Sequence, residues 1–111
     1  MYRLVVCTAI VVLGLIGSAT AQPAAVAKGM QVYTEQKCAV CHSIAGKGNA
    51  KGSLDNVGGT LTADEIREWI AHPAEMAKKT NADRKPPMRT YSLSKGDLDA
   101  LVAYMVSLKK Q

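Results

Sequence analysis

Hydrophobic and polar positions change their rhythm several times along the chain. An apolar run from Leu4 to Ile16, broken only by Thr8 and Gly14, comes first. Val26, Met30 and Tyr33 then recur at spacings of four and three, which predicts a helix from Ala24 to about Lys37 with these residues on its packed face. Residues 43–59 show no sustained period and hold Gly46, Gly48, Gly52, Gly58 and Gly59, five of the nine glycines, so they read as a loop. Thr62-Ala63-Asp64-Glu65 reads as a capping box. The helix it opens buries Ile66, Trp69 and Ile70 and stops near His72, because Pro73 disfavours helical geometry at the residue before it. Residues 74–91 read as irregular and charged, with Pro86-Pro87 near their centre. Ser94 caps a last helix in which Leu98, Leu101, Val102 and Met105 follow helical spacing. Period-two strand patterns are absent from the sequence. The expected fold class is all-α, with three to five short helices and long loops.

The opening apolar run differs from the later elements in having no polar face. Arg3 precedes it, and Ser18-Ala19-Thr20-Ala21 follows with the small-residue pattern of a cleavage site. A basic start, a short apolar core and small residues describe a secretory signal peptide over residues 1–21, cleaved before Gln22. A retained anchor would need roughly 20 apolar residues to cross a bilayer, and this run is shorter. Leu4-Val5-Val6-Cys7 faintly resembles a lipidation site, but Cys7 lies inside the hydrophobic stretch rather than after it. The mature domain is therefore expected at 22–111, exported to the periplasm or an equivalent compartment, with no stable membrane insertion after cleavage.

Cleavage changes the cysteine arithmetic. Cys7 leaves with the leader, so the odd count of three becomes the pair Cys38 and Cys41. Arg3 leaves too, taking one charge from the formal +5 of the whole chain. With no Phe and 5% aromatic residues, so small a domain has little material for a core of its own. A buried apolar cofactor would supply one.

Cys38-Ala39-Val40-Cys41-His42 is a C-x-x-C-H motif, the signature of covalent haem attachment. The two intervening residues let a helical turn present both thiols to the vinyl groups along one side of a porphyrin. His42 follows directly, so its imidazole is carried beneath the iron as the proximal ligand. A thioredoxin-like redox pair needs a strand–helix setting that the pattern lacks. A structural zinc site usually takes four ligands, and His72 is the only other plausible downstream donor. Export agrees with haem, which is attached outside the cytoplasm.

On these residues the chain resembles the class I cytochromes c, especially bacterial single-haem forms, over nearly all of the mature region. Gly29 and Tyr33 before the haem motif, with Leu101 and Tyr104 in the last helix, resemble the family's crossed terminal helices. As ordinary core residues they would look the same. Lys85-Pro86-Pro87-Met88-x-x-Tyr91 resembles the segment that delivers the distal methionine, which implies Met88 as the second axial ligand of one haem c. The two prolines stiffen the backbone that would hold a weak thioether ligand. Among the rivals, Met30 and Met105 sit on helices whose faces are needed for packing, and Met76 is the serious competitor. His72 is expected in solvent at a helix end.

The resemblance also implies supporting residues. The family's G-P-x-L stretch, whose proline carbonyl accepts the proximal histidine's N–H, aligns with Lys51-Gly52-Ser53-Leu54, so Gly52 stands where proline is usual. A carbonyl at Gly52 would still orient the imidazole and raise its basicity. Leu54 would pack on the haem. Trp69 has two readings, a haem-propionate contact through its indole N–H or plain core packing.

Two axial ligands that stay bound in both oxidation states suit one-electron transfer and exclude substrates from the iron. The expected function is a diffusible one-electron carrier rather than an enzyme, shuttling between a redox donor and acceptor outside the cytoplasm, with no nucleic-acid partner. A peroxidase, reductase or gas sensor would need an open sixth position, and a bound subunit of a larger oxidoreductase is the third class. Lys47, Lys51, Lys78, Lys79 and Lys85 lie in segments flanking the expected haem crevice and either steer acidic partners or simply solvate the loops.

Overall fold

The computed structural model describes residues 21–110, with side chains from Ala24 onward. The expected leader lies outside the described residues apart from Ala21. The chain runs through α1 (Ala21–Glu35), a 3₁₀ turn (Cys38–Val40), two short strands β1 (Ser43–Ile44) and β2 (Lys47–Gly48), and a second 3₁₀ turn (Ala50–Gly52). It continues through α2 (Val57–Thr60), α3 (Ala63–Ala71), α4 (Pro73–Thr80) and α5 (Lys95–Ser107). Helices dominate, as the sequence pattern predicts.

The last helix is the element on which the others pack. Ala100, Leu101, Val102 and Met105 of α5 are buried, and the last three meet Val32 of α1 and Ile66 and Ile70 of α3 in one cluster. Helices α1 and α5 cross at Gly29. A Cβ built there would collide with the Ala100 carbonyl and the Tyr104 Cβ, so only glycine lets the two backbones approach this closely. One turn further on, the Tyr33 and Tyr104 rings meet edge to face with centroids 5.9 Å apart and planes at 84°.

That crossing corrects the face assigned to α1. Met30 is 51% exposed, and the packed line runs instead through Gly29 and the fully buried Val32. The closest contact is made by a residue with no side chain, so hydrophobic periodicity points one position away from it. Met105 is buried on α5, as its spacing predicts.

The Thr62–Glu65 capping box forms in full. The Glu65 N–H donates to Thr62 Oγ1 at 3.1 Å, and the Thr62 N–H donates to Glu65 Oε1 at 3.1 Å. α3 ends at Ala71, and Pro73 is both its terminator and the first residue of α4. Residues 74–91 are therefore not irregular throughout. The missing N–H of a proline costs nothing in a first helical turn, and Asn81 closes α4 in the left-handed conformation at φ 55°. Residues 43–59 likewise hold more than a loop. A two-residue antiparallel hairpin pairs Ser43 with Gly48 and Ile44 with Lys47, and α2 follows. Ala45 and Gly46 turn it at φ 50° and 77°. His72 sits exposed between α3 and α4, 3.1 Å from Glu68 Oε2, at the helix end where the sequence puts it.

Candidate haem site

Lys37 takes the left-handed conformation at φ 57° and turns the chain out of α1 into the 3₁₀ turn. The Cys41 and His42 N–H groups both donate to the Cys38 carbonyl, at 3.1 and 2.9 Å. This single turn brings both half-buried thiols and the imidazole to one place. The hairpin that follows holds the turn shut. The Asn49 N–H donates to the His42 carbonyl at 2.8 Å, and the Asn49 side-chain amide donates to the Val40 carbonyl at 3.2 Å.

The His42 Nδ1–H donates to the Gly52 carbonyl at 3.0 Å. A carbonyl can only accept, so the proton belongs on Nδ1 and Nε2 keeps its lone pair for a metal. Burial pushes the imidazole pKa below its ordinary value, outweighing the Gly52 hydrogen bond that raises it, and the nearby Arg84 charge lowers it further. A neutral imidazole is the form that ligates. Gly52 is also sterically required, because a Cβ there would run into the Cys41 carbonyl and the Arg84 guanidinium.

A cavity of about 320 Å³ opens beside this turn, within the size range of small-molecule and cofactor sites. Cys38, Cys41 and His42 border it, and Leu54, Trp69 and Met88 line it as well. Six of the seven residues singled out in the sequence thus share one cavity, and the seventh, Gly52, bonds its imidazole. Met88 is half-buried on the irregular stretch between α4 and α5. Met76, its rival, is buried on α4 and is not among the lining residues, whereas Met105 reaches the cavity from the core of α5. Trp69 is only half-buried, so the cavity rather than the core receives part of its ring.

Residues 26–109 match the family model for cytochrome c. The chain belongs to the cytochrome c family. It is also 32% identical over 91 residues to cytochrome c oxidase subunit 2 of Alkalihalophilus pseudofirmus, an alignment that takes in 74% of this chain and 25% of that protein. The chain therefore spans about a quarter of the length of this curated relative. No solved structure matches it. Family membership carries haem-based electron transfer, and cytochromes c are generally carriers rather than enzymes.

The donor set fits a covalently held haem. Two thiols at C-x-x-C spacing can form thioethers, an imidazole with a free Nε2 stands next in the chain, and a thioether sulfur lines the same largely apolar space. The walls also include residues that carry no haem signal in the sequence, among them Val57, Leu61, Ile66 and Ile70. Leu61 carries a local signal, since an apolar residue just before a helix cap commonly packs over the first turn. Tyr33 carries none for its environment. Its hydroxyl is buried with no hydrogen-bond partner among the described residues, and burial pushes its pKa up to about 12. Arg84 also borders the cavity and had no signal in the sequence.

Proposed function

We propose that this chain is an exported one-electron carrier with a single haem c, attached through Cys38 and Cys41 and ligated by His42 and Met88. The observation that carries the reading is the meeting of two thiols, an oriented imidazole and a thioether sulfur on one apolar cavity. When bound, the haem supplies the one-electron couple. The protein's part is to fix the ligands and exclude water. The Gly52 carbonyl holds the His42 ring in one tautomer, Leu54 and its apolar neighbours keep the cavity dry, and Trp69 is available at its edge for a propionate. The leader reading of residues 1–21 supports export, and among the described residues no helix is long and apolar enough to cross a membrane.

Lys47, Lys51, Lys78, Lys79 and Lys85 are all exposed, and among the described residues none forms an ion pair. They are free to meet an acidic redox partner. Val40, between the two cysteines and 69% exposed, adds an apolar contact beside the motif. A second reading makes the domain one part of a larger oxidoreductase, favoured by its likeness to a region of an oxidase subunit. Co-purification of a stoichiometric partner from the native host would support it.

Methionine replacement tests the axial ligand. The weak near-infrared sulfur-to-iron band of the ferric protein is expected to vanish in Met88→Ala and to survive in Met76→Ala and Met105→Leu. Met88→Ala is also expected to bind carbon monoxide in the ferrous state and to have a lower reduction potential. Loss of the band in Met76→Ala or Met105→Leu, with retention in Met88→Ala, would reassign the ligand.

A further inference from the structure

The stretch that carries Met88 is poorly fastened. Between Thr80, the end of α4, and Lys95, the start of α5, it has no regular structure, and most of its residues are exposed. Among the described residues, 83–93 make one hydrogen bond to the rest of the molecule. Arg89 Nη2 donates to the Gln36 carbonyl at 3.2 Å, joining positions 53 apart in sequence. The same guanidinium lies 4.9 Å from the ring centroid of Tyr91, stacked over its face.

The place where Arg89 lands is informative. Gln36 directly follows α1 and comes two residues before Cys38, and it borders the haem cavity. A helix leaves its last carbonyls without donors and carries partial negative charge at that end. α1 has no basic residue in its own last turn, so its cation arrives from the distal segment instead. Tyr91 backs the guanidinium and narrows its range of positions. The bond therefore runs from the residue next to Met88 to the approach of the haem-attachment turn.

Resting on the reading of Met88 as sixth ligand, we infer that Arg89 is a strap that positions it, tying the distal segment to the end of α1 so that the thioether stays on the iron. A thioether is a weak ligand, and its residence depends on how often its loop swings away. The two prolines restrict the shape of that loop, and Met88 and Leu93 pack against the core, but none of these contacts is a directional bond. Arg89 supplies that bond.

The test uses the full-length haem-loaded protein as unmutated, Arg89→Ala, Arg89→Lys and Met88→Ala forms. Two readouts are followed, the temperature at which the near-infrared sulfur-to-iron band disappears and the rate of carbon monoxide binding to the ferrous protein. Arg89→Ala is expected to lose the band well below the temperature at which helical circular dichroism is lost. It should bind carbon monoxide about three- to tenfold faster, the net scale of one solvent-exposed hydrogen bond. Arg89→Lys, which keeps a donor but not the planar fork, should fall between the two. An Arg89→Ala protein whose band and carbon monoxide rate match the unmutated form would overturn the strap while leaving Met88 as ligand. The same holds if band and helix simply melt together at a lower temperature, which is a general stability effect. If Met88→Ala keeps the band, the ligand reading fails, and the strap fails with it.

Discussion

At the scale of single residues, the haem motif is the part of the chain in which sequence and geometry coincide most closely. C-x-x-C-H spacing needs one tight turn, and the bonds from Cys41 and His42 to the Cys38 carbonyl supply it. The Gly52 carbonyl was legible only through the family resemblance, and it stands 3.0 Å from His42 Nδ1 although proline is replaced by glycine. Arg84, Arg89 and the buried Tyr33 hydroxyl were not legible, because an exposed arginine in a loop carries no pattern and a burial state depends on the whole fold. Covalent attachment leads to a plain expectation. The Cys38→Ser/Cys41→Ser double variant should release all its haem to acidified acetone, while the unmutated protein keeps it through the extraction. Haem retained by the double variant would mean that these thiols are not the attachment points.

Among the elements, the capped helices were readable and the contacts between them less so. Thr62, Glu65, Pro73 and Ser94 mark helix ends by local chemistry, and each does so here. Pro73 reads in sequence as a stop alone, yet it also opens α4, because a missing N–H suits a first helical turn. On α1 the periodicity points to Met30, which is exposed, and passes over Gly29, which makes the closest contact without a side chain, while Tyr33 packs as expected. Two glycine substitutions separate these effects. Gly29→Ala gains about 1 kcal/mol of helix propensity but forces a methyl into the Ala100 carbonyl and the Tyr104 Cβ, an overpacking cost of about 1–3 kcal/mol. Thermal unfolding should show it net destabilised. Gly96→Ala, in the first turn of α5 with open space around its Cβ, should be stabilising by up to about 1 kcal/mol. A stabilised Gly29→Ala protein would mean that α1 and α5 cross less closely than described.

For the molecule as a whole, the helices leave an apolar cavity where a larger domain would place side chains, which suits a chain with no Phe and 5% aromatic residues. On the proposed carrier reading, the exposed Lys47, Lys51, Lys78, Lys79 and Lys85 bear on encounter with a partner. Electron transfer with an acidic redox protein should slow as ionic strength rises, because screening shortens the reach of these charges, and Lys78→Glu/Lys79→Glu should slow it further at low salt. A rate indifferent to salt would leave these lysines as solvating groups only. The carrier reading itself is tested most directly by a redox titration of the haem-loaded protein followed by absorption. It predicts a single one-electron wave between two low-spin states, a near-infrared sulfur-to-iron band in the ferric form, and only slow carbon monoxide binding in the ferrous form, limited by release of the sulfur ligand. A high-spin ferric spectrum with ready carbon monoxide binding would contradict it and place the protein among ligand-binding haem proteins.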